Sequence, residues 1–165
     1  MRFALDQNYP LPIVAALQEY MTEAELVALA DIDSVLTDID DWQVLPSLHH
    51  HPLDWDGLIT TDSGILSLPR EVAVLLQTRL TLVVADAAGH DPLKATGLVL
   101  TYLPWIAAHS RRDEAQVWVL RARNQPPKDP WELIRKIADR RGVTPQTLYE
   151  AEKLTPREFA TDPLA

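Results

Sequence analysis

Short apolar stretches alternate along this chain with longer segments in which apolar residues recur at helical spacing, and several of the stretches end in an aspartate. They predict β-strands at residues 2–5, 33–37, 57–61, 79–85 and 116–120. The stretch 79–85 is rich in β-branched residues and shows little alternation, which is typical of a strand with helices on both faces. The pattern therefore predicts a sheet that is buried between helices.

Helices are predicted between the strands, where apolar residues recur every three or four positions. They cover about 13–21, a short stretch at 24–30, a segment that begins at the acids 38–41, and residues 71–77 and 92–108. Acids in a first turn favour a helix start because they meet the positive end of the helix dipole. Strands that alternate with helices predict an α/β fold, a three-layer α/β/α sandwich with a mainly parallel central sheet.

The C-terminal part of the chain has a different pattern. After residues 126–127, two prolines, the sequence predicts a basic amphipathic helix at 131–141 and a second helix at 146–154. We therefore expect an α/β domain over residues 1–125 and a C-terminal helical arm over residues 126–165. The arm is interpreted as a surface for docking a partner or for dimerisation. In the second case the protein would be a homodimer. A DNA-binding helix-turn-helix is the weaker interpretation, because a complete unit normally has a further packed helix.

Composition narrows the class of protein. The chain has 165 residues, 47% of them hydrophobic and 24% charged, which matches one globular core. No apolar run approaches the ~20 residues that cross a bilayer, and Asp6 interrupts the first apolar run too early for a signal peptide. These features predict a cytoplasmic protein without a membrane partner. The absence of cysteine excludes thiolate metal sites and cysteine nucleophiles.

Aspartates follow the predicted strands at the ends that meet one edge of a parallel sheet: Asp6, Asp38, Asp62 and Asp86. Such folds usually bind ligands at that edge. Carboxylate oxygens suit Mg²⁺ or Mn²⁺, and two such ions can activate a water and stabilise the leaving oxygen of a phosphodiester. Each acid taken alone is better explained as a helix cap or turn residue, and only their combination favours the site. The net charge of −9 argues against a broad nucleic-acid surface, but it is compatible with an acidic site that ions neutralise.

Three segments carry a resemblance to a known family. Residues 3–10 (FALDQNYP) read as a strand, an acid and a proline-bearing loop, residues 40–42 (DDW) as an acidic helix start, and residues 58–62 (LITTD) as a strand that ends in Thr-x-Asp. In order and spacing they resemble the PIN-like domain superfamily, small metal-dependent ribonucleases that include the toxins of bacterial toxin–antitoxin pairs. The chain departs from the family pattern at Gln7 and at residues 63–64, where further acids are common.

The resemblance implies an endoribonuclease that hydrolyses RNA phosphodiesters with Mg²⁺ or Mn²⁺ and that has an antitoxin or another protein as partner. The metal-binding and catalytic residues that it implies are Asp6, Asp40, Asp41 and Asp62, of which Asp40 and Asp41 are alternatives for one position. Asn8 and Thr60 would support these acids or bind the substrate. A further acid would be Asp38 or Asp56.

Two other interpretations are kept beside this one. The chain is alternatively a catalytically inactive PIN-like interaction module that acts through its C-terminal helical arm. Asp6 after a strand is also a usable phosphoryl acceptor, although the sequence has no convincing phosphate cradle. The run His49 to His51 favours a solvated loop over a metal site, because consecutive side chains point in different directions.

Overall fold

Five parallel strands form one sheet in the computed structural model, which describes residues 1–9, 11–86, 91–121, 127–162 and 164. The strands are β1 Arg2–Leu5, β2 Glu25–Ala28, β3 Gly57–Thr60, β4 Thr81–Val84 and β5 Gln116–Val119. Their spatial order is β2-β1-β3-β4-β5, and each neighbouring pair is parallel. The α/β class and the parallel sheet predicted from the sequence are confirmed.

Helices cover both faces of the sheet. They are α1 Leu11–Tyr20, α2 Leu29–Ile32, α3 Asp41–His50, α4 Pro69–Thr78, α5 Pro92–His109, α6 Pro130–Arg141, α7 Pro145–Glu152 and α8 Pro156–Phe159. Side chains alternate between the two faces of a strand, so Phe3 and Leu5 pack with α1 and α5, whereas Ala4 packs with α3, α4, α6 and α7. The predicted three-layer sandwich is thereby confirmed.

The second strand differs from its predicted position. The strand predicted at 33–37 is wrong, because Ser34–Thr37 is a 3₁₀ helix. Asp33 caps this helix, since its carboxylate accepts a hydrogen bond from the Val35 N–H at 2.9 Å. The helix predicted at 24–30 is also wrong, since Glu25–Ala28 pairs with β1. A short apolar run cannot be assigned to helix or strand by periodicity alone, and here pairing with β1 decides.

The C-terminal helices pack against the rest of the chain. Leu133, Ile134 and Ala138 of α6 belong to the same buried cluster as the inner faces of α3 and α4. The Gln77 side-chain amide also fixes the chain after α7, because it donates to the Leu154 carbonyl and accepts from the Leu154 N–H at 3.0 and 2.7 Å. The predicted boundary at 125/126 lies outside the described residues. None of the described helices is long and apolar enough to cross a membrane.

The strand order defines a position where a ligand would bind. β1 lies between β2 and β3, so the chain leaves β1 toward one side of the sheet and later returns to add β3, β4 and β5 on the other side. In doubly wound sheets the crevice outside the carboxyl ends of the strands at this switch point is the usual ligand site. Here that crevice lies at the ends of β1 and β3, where Asp6 and Thr60 are found.

Candidate functional site

Asp6 and Asp62 are brought together by Thr60 at the switch point. Asp6 extends β1 by one residue, because its N–H donates to the Ile59 carbonyl at 2.9 Å. The Thr60 hydroxyl donates to Asp6 Oδ2 at 2.6 Å and accepts from the Asp62 N–H at 2.9 Å. Thr60 is only 2% exposed, so this link is shielded from solvent. The two aspartates are therefore held on adjacent strands by one buried side chain.

The Asp6 carboxylate receives two further hydrogen bonds. The Gln7 N–H donates to Oδ1 at 2.7 Å, and the Asn8 side-chain amide donates to Oδ2 at 2.8 Å. With the bond from Thr60, both lone pairs of Oδ2 are engaged and one remains on Oδ1. Asn8 and Thr60 thus hold the first acid in place, and the substrate contact predicted for them stays a prediction.

The start of α3 supplies the third acid. Asp40 is the N-cap, with its N–H donating to Gln43 Oε1 at 3.2 Å, and its side chain is exposed. Asp41 is half-buried, and its pKa is raised, first by burial and then by the negative charges of Asp6, Asp62 and Asp40. The carboxylate of Asp41 is therefore the one that shares an electrostatic environment with both strand-end acids.

Other predicted acids lie elsewhere. Asp56 precedes β3 at the opposite edge of the sheet, where it accepts from the Arg2 N–H at 2.7 Å and pairs with Arg112 at 2.9 Å. Asp38 ends the 3₁₀ helix rather than a strand, since its N–H donates to the Val35 carbonyl at 3.0 Å. Asp56 is consequently unable to reach Asp6, and the strand end predicted at Asp38 is wrong.

Two groups at the site were not predicted from the sequence. The Tyr9 hydroxyl is buried and has no hydrogen-bond partner among the described residues, and burial together with the charge of Asp6 raises its pKa. Glu71 on α4 has a raised pKa, caused first by burial, with further contributions from the charges of Asp41, Glu152 and Asp40. Tyr9 lies in the turn after β1, where its N–H donates to the Asp6 carbonyl at 3.1 Å. Glu71 has no such local signal, because it approaches the acids only through the packing of α4.

The donor chemistry of the acids fits a hard cation, whereas their present spacing does not form a chelate. Asp6, Asp41 and Asp62 offer carboxylate oxygens, which Mg²⁺ and Mn²⁺ prefer. In the part of the chain that the structure describes, no group of three or more histidine, aspartate or glutamate side chains is arranged to hold a metal ion. Because hydrogen bonds hold the carboxylates of Asp6 and Asp62, ion binding would require the Asp41 carboxylate to turn toward them.

The histidine run is engaged in contacts within the fold. A ring nitrogen of His50 hydrogen-bonds the carbonyl of Phe159 in α8, and the His51 ring accepts from the Leu53 N–H at 3.1 Å. The ring of His49 lies 5.3 Å from the Phe159 ring, measured between centroids. His49 and His50 thus both contact Phe159, whereas His51 contacts Leu53.

No protein-family model, curated protein or solved structure matches this chain. The resemblance to PIN-like domains accordingly stays a prediction that rests on the three sequence segments. The fold and the placement of the acids are independent of it.

Gly64 is expected to control the orientation of Asp62. Its N–H donates to Asp62 Oδ1 at 2.7 Å, and a Cβ atom at this position would lie 2.9 Å from the same oxygen. Gly64→Ala should therefore displace the Asp62 carboxylate at a small cost in stability, about 1 kcal/mol or less, because only a side-chain end has to move. Thermal unfolding with and without Mn²⁺ checks this: the metal-free melting temperature should change little and the Mn²⁺-dependent increase should shrink. An unchanged increase would contradict it.

The raised pKa of Asp41 gives a pH dependence with a defined sign. An acid whose pKa is higher in the folded than in the unfolded state destabilises the fold when ionised, and this cost disappears as the pH falls through the folded pKa. In a chelator, Asp41→Asn should therefore melt at a higher temperature than the wild type at neutral pH. The difference should close as the pH falls to about 4, where aspartates protonate. A difference that is constant or that grows on acidification would refute the assignment.

Proposed function

We propose that this protein is an endoribonuclease that uses Mg²⁺ or Mn²⁺ to hydrolyse RNA phosphodiesters. The observation that carries the proposal is the convergence of Asp6, Asp41 and Asp62 from β1, α3 and the end of β3 at the switch point of a parallel sheet. Like charges gathered in this way oppose folding, and a bound cation would remove this cost. Perturbed acids of this kind are typical of functional sites. The choice of RNA as substrate and of an antitoxin-like partner is supported by the sequence resemblance alone. The cytoplasmic location is supported only by the pattern of apolar residues in the sequence.

Each residue has a role in this proposal. Asp6, Asp41 and Asp62 would hold the ion, which when bound supplies an activated water and neutralises phosphate charge. Thr60 and Asn8 fix the rotamer of Asp6, so that its remaining Oδ1 lone pair has a constant direction. The Tyr9 hydroxyl is protonated at neutral pH, and burial and the charge of Asp6 raise its pKa further.

A second candidate function is favoured by one observation. The described acids are not arranged as a chelate, which is what a catalytically inactive PIN-like interaction module would show. In that case the aspartates act as turn and cap residues, and a protein partner binds the C-terminal helical arm. Such a protein would gain no stability from Mn²⁺, and neutralising Asp6 would leave partner binding unchanged.

Cleavage of a labelled single-stranded RNA tests the proposed function. We expect the wild type to cut in Mn²⁺ and to stop in EDTA, and Asp62→Asn to lose more than about 100-fold in rate because a metal ligand is gone. Asp139→Asn is the matched control, since Asp139 is exposed on α6. The wild type and the variants are purified in parallel, so a contaminating nuclease would give equal activity in all samples. Activity that survives EDTA, or that is equal in Asp62→Asn and the wild type, would contradict the proposal.

A further inference from the structure

We propose that Arg121 forms a phosphate-binding site at the same sheet edge, beside the three aspartates, and that it holds the RNA backbone. Arg121 follows β5 and Asp86 follows β4, so both lie at the carboxyl ends of strands on the far side of β3 from Asp6. This inference rests on the proposed function, because it names a second contact for the same substrate.

Arg121 is oriented by its neighbour. Its Nη2 and Nε donate to Asp86 Oδ2 at 2.7 and 3.0 Å. The Arg121 hydrogen bond is the main cause that lowers the pKa of Asp86, and Ser63, the residue directly after Asp62, lies close enough to lower it further. Asp86 therefore stays ionised and keeps the guanidinium at a fixed place next to the Asp62 loop.

The Arg121 guanidinium has N–H donors that Asp86 does not use. It carries five N–H groups, and the two bonds to one Asp86 oxygen leave three without a partner among the described residues. The Arg121 side chain is 47% exposed, against 27% for Asp86. An exposed ion pair of this kind contributes little to stability. The ion pair is better explained if Asp86 orients the Arg121 guanidinium for a ligand.

Charge is graded along this edge of the sheet. Carboxylates from α3, β1 and β3 lie on one side, and on the other side Arg121 is joined by Lys128, whose positive charge also acts on Asp86. A chain with net charge −9 repels RNA in general, so a local cation is needed to bring a phosphate to an acidic site. Guanidinium groups suit phosphate because their N–H groups form parallel bonds to its oxygens. A phosphodiester would therefore lie between ions on the aspartates and Arg121.

Binding of a short fluorescein-labelled single-stranded RNA, measured by anisotropy in EDTA over a series of salt concentrations, tests the site without cleavage. Arg121→Ala should weaken binding by about 10-fold and lower the slope of log affinity against log salt by about 1. Arg121→Lys should keep most of the affinity. Arg140→Ala, which removes an exposed cation of α6, is the matched control and should change little. A wild type that binds no more RNA than Arg121→Ala would overturn the proposal.

A double variant separates a phosphate contact from the effect of a freed acid. Arg121→Ala leaves the Asp86 charge unpaired, whereas Arg121→Ala combined with Asp86→Asn removes both charges. The double variant should bind RNA as weakly as Arg121→Ala, and recovery to wild-type affinity would overturn the proposal.

Different experimental results would contradict the phosphate site and the nuclease function. If the wild type does not cut RNA but Arg121→Ala still weakens binding, the phosphate site stands and the nuclease function falls. If the wild type cuts RNA and Arg121→Ala binds and cuts it equally well, the phosphate site alone falls.

Discussion

Gly57→Ala is expected to destabilise this protein more than any other single methyl group added to the sheet. Gly57 begins β3 between β1 and β4, and a Cβ atom there would lie 1.8 Å from the backbone oxygen of Thr81 and 3.1 Å from the Phe3 ring. Neither neighbour can give way cheaply, because the oxygen belongs to a paired strand and Phe3 is fully buried. Overpacking typically costs about 1–3 kcal/mol, and a clash with backbone should exceed ~3 kcal/mol.

Thermal or urea unfolding measures this cost, and we expect a melting temperature lower by about 10 °C or more, or no folded protein at all. Gly97→Ala is the matched control. Gly97 lies within α5, and a Cβ atom there meets nothing within 4 Å, so alanine should stabilise by up to ~1 kcal/mol through its helix propensity. Equal melting temperatures for the two variants would show that β3 and β4 are not paired as described.

Asp6→Asn is expected to have the largest effect on activity. It removes the charge of the acid on which Thr60, Asn8 and the Gln7 N–H converge, and it should reduce Mn²⁺-dependent RNA cleavage below about 1% of the wild-type rate. The fold should survive at a cost of about 1–2 kcal/mol, because an amide placed in this network leaves one donor facing another. A far-ultraviolet circular dichroism spectrum and a melting curve establish that the variant is folded. Cleavage at the wild-type rate by folded Asp6→Asn would remove this acid from the mechanism.

Four of the five strands and the positions of Asp6 and Asp62 were predictable because their signals are local. A buried strand followed at once by an acid places Asp6 at the carboxyl edge whatever the rest of the fold does. Asp62 lies at the same edge because only Thr61 separates it from the end of β3. The strand at 25–28 was missed because four apolar-rich residues fit a helix equally well, and only pairing with β1 distinguishes the two.

The remaining site residues depend on contacts that are distant in sequence. The choice between Asp40 and Asp41 follows from where α3 begins, since a shift of one residue turns a side chain by about 100° around the helix. Arg121 meets Asp86 across the pairing of β4 with β5, 35 residues apart. The proximity of Ser63 to Asp86 likewise depends on the neighbouring positions of β3 and β4. No short-range pattern could reveal these contacts.

The central claim is that Asp6, Asp41 and Asp62 hold a divalent ion, and thermal unfolding in the presence and absence of millimolar Mn²⁺ tests it most directly. Binding to the folded state stabilises by about 2.7 kcal/mol when the ion is at 100 times its dissociation constant. We predict that Mn²⁺ raises the melting temperature of the wild type and of Asp139→Asn and leaves that of Asp6→Asn unchanged. A wild type that does not respond to Mn²⁺, or an equal increase in Asp6→Asn, would contradict the claim.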